Sequence, residues 1–320
     1  MEQQRGAVVI GDALIDEIHD GGGVRELVGG AALNVAVGLR RLGVPVTLIA
    51  MVGADEAGDH IREYLDDHGV ALIESPAPRG SSRAVVQRAA NGEPQYVFNE
   101  AAQRRSIAYD DDARAAIAAA GIVAVSCYPF DVPTEVDAMA AALGEDVRLV
   151  IDPNPRAGML ADRAEFVRGF ERLAARASLV KIGADDAVLL YGGSSVGDPS
   201  GDGLADGDLD ALRLRLRAAG VSAVLATAGA DGAVLDTDAG IVAAPIAALP
   251  GRIVDTVGAG DATLAAVAAG LVRGTPESVE GWQGLLDRAM LIAAATCRAE
   301  GGLLRTPESL AESERGVQGS

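Results

Sequence analysis

Between residues 110 and 227 the chain alternates, with little interruption, between helix-patterned segments and short runs that are apolar almost throughout. Helical patterns at 110–120, 134–143, 162–176 and 206–219 each precede such a run: 122–126 (IVAVS), 147–151 (VRLVI), 178–182 (SLVKI) and 221–227 (VSAVLAT). A strand with one face in water alternates polar and apolar residues, so near-continuous runs indicate strands covered on both faces. Strands joined through helices run parallel. The expected fold class is therefore α/β, a doubly wound and mostly parallel sheet with helices on both faces. The N-terminal part follows the same rule. A buried strand at 6–11 is followed, after Gly29-Gly30, by a helix carrying Val35, Leu39 and Leu42, which Gly43 and Pro45 stop. A strand at 46–52 and a helix at 59–68, ended by Gly69, complete it. In such sheets ligands bind beyond the carboxyl ends of the strands, so functional residues are expected there.

One stretch departs from the alternation. Residues 83–87 alternate around Val85, Asn91-Gly92 supplies a turn, and 96–98 alternate back, which predicts a hairpin. With a further strand from 12–18, segments 12–28 and 80–100 are expected to form a small β-sheet lid on one α/β domain spanning 1–310. The loop 192–208 and a polar tail at 311–320 carry little pattern.

Composition narrows the chemistry. Of 320 residues 49% are hydrophobic but only 3% aromatic, so a large core must be built from Ala, Val, Leu and Ile. The net charge of −19 makes nucleic acid and anionic membranes poor partners. Lys181 is the only lysine, so an anion must be held by arginine, backbone N–H groups or a metal. Cys127 and Cys297 fit no zinc or disulfide spacing and read as free thiols in a reducing compartment. The N-terminus lacks signal-peptide character, and the longest uncharged run, 115–130, is too short to span a bilayer. A soluble, cytoplasmic protein is expected.

Several chemistries are excluded. A P-loop needs Gly-Lys before Ser or Thr, whereas Lys181 sits between Val180 and Ile182. The protein-kinase signatures are missing, and His19, His60 and His68 have no metal-ligand spacing. The Gly193-Ser194-Ser195-Val196-Gly197 match to a nucleophile elbow lacks both a following helix and a downstream histidine. Thr263 stands where a dinucleotide fingerprint starting at Gly258 needs its third glycine.

What remains is Asp255-Thr256-Val257-Gly258-Ala259-Gly260-Asp261, expected between a short strand at 252–254 and a helix with Leu264, Val267, Ala268 and Leu271 on one face. Glycines at a helix start let N–H groups converge on an anion, and the helix dipole adds attraction. Gly258, Ala259 and Gly260 are thus a candidate anion hole for a phosphoryl group in transfer. A carboxylate at Asp261 repels that anion unless it has a task, and taking a proton from an attacking hydroxyl is such a task. Locally, the same residue also reads as an ordinary acidic helix start.

The segment resembles the C-terminal signature of the ribokinase-like, phosphofructokinase-B type carbohydrate kinases, and Val28-Gly29-Gly30-Ala31-Ala32-Leu33-Asn34 resembles their N-terminal glycine signature. The two occur in the family's order and separation, and the resemblance covers nearly the whole chain. It implies an ATP-dependent kinase with Asp261 as base and Gly30 and Asn34 binding sugar hydroxyls. Asp12 and Asp16, four residues apart on an extended segment, would face one side and accept from neighbouring hydroxyls. Thr227, Gly229 and Gly232 match the family's nucleotide loop. Asp152-Pro153-Asn154-Pro155-Arg156 resembles a fructokinase segment whose arginine, here Arg156, faces substrate or phosphate.

The implied cofactors are ATP and Mg²⁺, with K⁺ near Asp255 and Val257. Two positions depart from the pattern. Gly183-Ala184-Asp185-Asp186 replaces the usual Asn-x-x-Glu, leaving Asp186 to reach Mg²⁺ through water, and Thr263 replaces a bulky aromatic. Fructose is the favoured substrate; 2-keto-3-deoxygluconate, ribose and nucleosides stay open, as do a non-catalytic sugar sensor and a nucleotide-binding module. A homodimer through the lid is expected, because an open sheet leaves a face and edges to cover.

Overall fold

The computed structural model describes residues 5–20, 23–88, 94–192 and 208–310. The chain opens with strand β1 (Ala7–Gly11), then β2 (Leu14–Asp20) and β3 (Gly23–Gly29), helix α1 (Ala31–Arg41), β4 (Val46–Met51), α2 (Glu56–Asp67) and β5 (Ala71–Ser75). Next come β6 (Ser82–Arg88), β7 (Pro94–Phe98), α3 (Glu100–Gln103), α4 (Asp111–Ala119), β8 (Ile122–Ser126), α5 (Pro133–Ala142) and β9 (Leu149–Asp152). The remainder is α6 (Arg163–Ala174), β10 (Leu179–Gly183), α7 (Ala184–Tyr191), α8 (Leu209–Ala218), β11 (Ala223–Thr227), β12 (Ala233–Thr237), β13 (Gly240–Ala244), α9 (Ala259–Arg273) and α10 (Val279–Thr296).

Nine strands form the main sheet in the order β13-β12-β11-β10-β9-β8-β1-β4-β5. All neighbours from β11 to β5 run parallel, and β12 and β13 add an antiparallel edge. The expected doubly wound fold is therefore present. One face packs Val9, Leu48, Val150, Leu179 and Leu225 under α1, α2, α9 and α10. The other packs Ile10, Val125, Ile151, Val180 and Val224 under α4 to α8. With few aromatics available, most of this core is aliphatic, apart from Phe130, which meets Tyr128, Phe166 and Phe170 edge-on.

A second sheet, in the order β3-β2-β6-β7, stands apart as the lid. Leu14, Ala84 and Phe98 of this sheet pack with Ala31, Ala102, Cys127 and Met159, which seats the lid over the carboxyl ends of β1 and β8. The Asn91-Gly92 turn, most of the 192–208 loop and the 311–320 tail lie outside the described residues.

Element edges differ from expectation where caps decide them. Helix α2 starts three residues before 59 because Asp55 accepts from Gly58 N at 2.8 Å, and α8 starts at Leu209 because Asp208 accepts from Asp210 N at 2.9 Å. Residues 252–254 form no strand. Val254 N instead donates to Cys297 O at 2.8 Å beyond α10, leaving Ile253 and Val254 exposed. Among the described residues no helix is long and apolar enough to cross a membrane.

Candidate active site

Helix α9 begins in a cradle that excludes side chains. Gly258, its N-cap, has φ of 76°, and a β-carbon there would stand 2.4 Å from Gly302 Cα. Ala259 N turns back to Thr256 O at 3.2 Å. The N–H groups of Gly258, Gly260 and Asp261 have no acceptor among the described residues, so these three, rather than 258–260, form the open part of the nest. The helix positive end lies behind them.

Asp261 is buried at the edge of that nest. Its Oδ2 accepts from Asn34 Nδ2 at 3.0 Å and its Oδ1 from Asn154 Nδ2 at 3.4 Å. Burial pushes its pKa up; the Asn34 hydrogen bond and the charges of Arg156 and Lys181 pull it down, while Asp12 adds a further push upward. Asn34 is delivered by α1, whose start depends on Gly30 at φ 111°. Asp12 builds the same turn, its Oδ1 accepting from Ala32 N at 2.9 Å. Asn34 thus reaches the site from the start of α1, and Asp12, between β1 and β2, is hydrogen-bonded to that start, which Gly30 shapes.

Two more carboxylate effects follow from crowding. Burial, and the charge of Asp12 next to it, push Asp16 up to about 6 against the pull of Arg156. Burial likewise raises Asp12, although the Ala32 N–H and the guanidinium groups of Arg105 and Arg156 oppose it. Arg156 is exposed and makes no ion pair within 4 Å among the described residues, so its guanidinium is available to an anion. The structure therefore brings Asp12, Asp16, Gly30, Asn34, Arg156 and Asp261 to one place. Cys127, at φ 50° just after β8, joins them beside the Asp12 carboxylate; burial, helped by that charge, pushes the thiol pKa up.

The strand ends next door supply the second half. Gly183 on β10 and Thr227 on β11 are register partners, and Thr227 Oγ1 donates to Ile182 O at 3.4 Å. Gly229 (φ 55°) and Gly232 (φ 88°) shape the β11–β12 turn, where a β-carbon on Gly232 would lie 2.2 Å from Ala244 O. Asp186 Oδ2 is occupied capping α7 through Gly183 N at 2.8 Å, leaving Oδ1 for other work. Asp255 ties two loops together: Oδ1 accepts from Val257 N and Oδ2 from Gly301 N, each at 3.0 Å. No group of three or more His, Cys, Asp or Glu side chains could hold a metal among the described residues.

Some residues of the site had no separate signal in the sequence. Asn154, quoted there only as part of a motif, is a direct partner of Asp261. Gly302, which leaves room for both Gly258 and the Asn34 amide, lies in an unremarkable Gly-Gly pair. Lys181 proves to be ion-paired with Asp152 at 2.8 Å beneath the nest. Its uniqueness as the sole lysine was the available clue.

Comparison with known proteins bears on the family and the fold. The family model for pfkB family carbohydrate kinases matches residues 6–308. A fructokinase of Rhizobium leguminosarum bv. trifolii is 30% identical over 272 residues, covering 82% of this chain and 78% of that protein. Among solved structures, the aminoimidazole riboside kinase of Salmonella enterica, complexed with aminoimidazole riboside and an ATP analogue, superposes with a TM-score of 0.73 at 24% identity, over 96% of this chain and 99% of that one. A fructokinase double mutant from Vibrio cholerae O395, in its fructose-, ADP- and potassium-bound form, gives 0.73 at 20% identity, over 98% and 99%. With the family model matched over residues 6–308 of the 320, on a mostly parallel nine-stranded sheet with a separate small lid sheet, the chain belongs to the pfkB family of carbohydrate kinases.

Proposed function

We propose that this chain transfers the γ-phosphoryl group of ATP to a hydroxyl of a small sugar, with fructose the first candidate. The observation that carries the mechanism is Asp261, held by two asparagine amides at the mouth of the nest formed by Gly258, Gly260 and Asp261 N–H. Asn34 and Asn154 each donate to Asp261 through Nδ2, which orients the carboxylate and leaves lone pairs free for an incoming hydroxyl. Asp261 takes the hydroxyl proton, the sugar oxygen bonds to the γ-phosphorus, and the bond from phosphorus to the bridging oxygen breaks, releasing ADP. The proton on Asp261 then passes to water. The nest N–H groups donate to the equatorial oxygens and stabilise the charge that spreads over them.

Asp12 and Asp16 would read sugar hydroxyls from the lid side, with Gly30 letting the backbone approach, and Arg156 would face the transferred phosphoryl group. Thr227, Gly229 and Gly232 would take the nucleotide. The donor set suits a Mg²⁺ ion that arrives with the nucleotide and keeps most of its waters, since Asp186 Oδ1 is left unengaged beside the nucleotide strand ends and no protein cage exists among the described residues. Bound there, the ion would neutralise β and γ oxygens. The loops tied by Asp255, with Val257, would hold a monovalent cation through their carbonyls. Exposed Val24, Leu27, Tyr96 and Val97 on the lid support a homodimer through that sheet, in the cytoplasm where ATP is supplied. The test is a panel of fructose, 2-keto-3-deoxygluconate, ribose and nucleosides with ATP, reading ADP release. Turnover on none of them, with sugar and ATP still bound, would make the protein a sensor.

A further inference from the structure

Lys181 and Asp152 occupy adjacent parallel strands, one residue beyond the register pair Val180 and Ile151. Side chains alternate along a strand, so both point to the face covered by α9, the same face as Leu179 and Val150. There Lys181 Nζ donates to Asp152 Oδ2 at 2.8 Å, with both side chains nearly inaccessible to water. The ammonium lies 3.1 Å from where a β-carbon on Gly260 would be, directly under the peptide that offers the nest its central N–H. Every other cation among the 27 in this chain is arginine, and the nearest atoms to that β-carbon position outside its own helix are Lys181 Nζ and Cε, at 3.1 and 3.6 Å.

As a stabilising element the pair is poorly made. A buried ion pair offsets the loss of water only when its remaining lone pairs and protons are met. Asp152 Oδ1 is buried with no partner, and so is Ser126 Oγ on the register neighbour of Asp152. An apolar pair would fit this otherwise aliphatic layer at less cost. The unmet cost sits under the nest and beside Asp261, which argues for a task in the reaction.

We propose that Lys181 is a positioning residue for phosphoryl transfer, holding its charge beneath Gly260 so that the nest attracts the anion and Asp261 stays ionised beside it, with Asp152 as the tether of its ammonium. The proposal rests on Asp261 being the base. The direction in which Lys181 moves the Asp261 carboxyl, downward, is consistent with it.

The experiment compares wild type, Lys181→Met, Lys181→Met/Asp152→Leu and Asp261→Asn with ATP and the best sugar of the panel. Removing a group that orients a reacting one typically costs about 10–100-fold in activity. Lys181→Met is expected to lose about that much kcat with the sugar KM unchanged, and the acidic limb of its kcat profile should move to higher pH. The double variant removes both charges and keeps an apolar, packed layer, so it covers the case in which the single variant fails to fold. It is expected to lose kcat as well, with a smaller shift of the acidic limb than Lys181→Met, because the Asp152 charge that repels Asp261 leaves with the ammonium. Wild-type kcat with an unmoved acidic limb in a folded double variant makes the pair purely structural and overturns the proposal. Asp261→Asn separates the two readings: if it is inactive while the Lys181 variants match wild type, the base stands and this inference falls. If Asp261→Asn turns over normally, the base assignment itself is wrong and the inference goes with it.

Discussion

Asn34 Nδ2 donates to Asp261 Oδ2 across 3.0 Å, binding the first turn of α1 to the first turn of α9 over a separation of 227 residues. The two glycine signatures therefore meet as a single constellation. Asn34→Ala removes a donor that pulls the Asp261 pKa down. The acidic limb of the pH–rate profile should move to higher pH, because Asp261 must lose its proton to act as base. Removing a general base outright typically costs about 10²–10⁴-fold, and Asp261→Asn should reach that range while Asn34→Ala falls short of it. Steady-state turnover from pH 5 to 9 for the three proteins decides this; an unshifted limb in Asn34→Ala refutes the assignment.

Asp16, pushed up to about 6, should make sugar binding pH-dependent. A carboxylate accepts hydroxyl donors better when ionised, so sugar affinity should weaken as pH falls through 6. Stability runs the opposite way. A folded pKa above the unfolded one adds stability below the unfolded value and loses it as pH rises through the folded one. Asp16→Asn should therefore raise unfolding stability at pH 8 by about 1–3 kcal/mol, with no gain near pH 3. Urea denaturation at the two pH values checks it, alongside calorimetric sugar titration. Equal stability of variant and wild type at pH 8 would remove the strained-carboxylate account.

Turnover should need Mg²⁺ absolutely, since Arg156 and one buried lysine are the cations set near the transferred phosphoryl group and no carboxylate cage is found among the described residues. Excess chelator should abolish activity, and activity surviving it would contradict the proposed site. Replacing K⁺ by a bulky organic cation should lower kcat if Asp255 and the 301 loop hold a monovalent ion. Asp255→Ala should remove that dependence.

The lid should pair two copies of the chain. Val97→Asp places a charge on a strand where Tyr96 and Val97 stand exposed and should shift a dimer to a monomer in light scattering. A wild-type monomer at all concentrations tested would dismiss the lid interface.

Periodicity alone determined the layers of this protein. Apolar runs such as 122–126, and helical segments ending at glycines such as Gly69, depend on local geometry and on burial of both sheet faces, both of which a single chain displays. The nest at 258–261 and the acid Asp261 were legible for the same reason: a glycine at positive φ followed by a helix start is a local event. Tertiary structure decided everything that needs residues far apart in sequence. Asn154 holds Asp261 only because β9 delivers it there, Gly302 matters only because the chain returns past Gly258, and the 252–254 segment is held by the end of α10 instead of a sheet partner. The charge beneath Gly260 belongs to the same class. Lys181 and Asp152 are 29 residues apart, and their pairing follows from parallel register, which apolar patterning leaves open because every residue of such strands is buried alike.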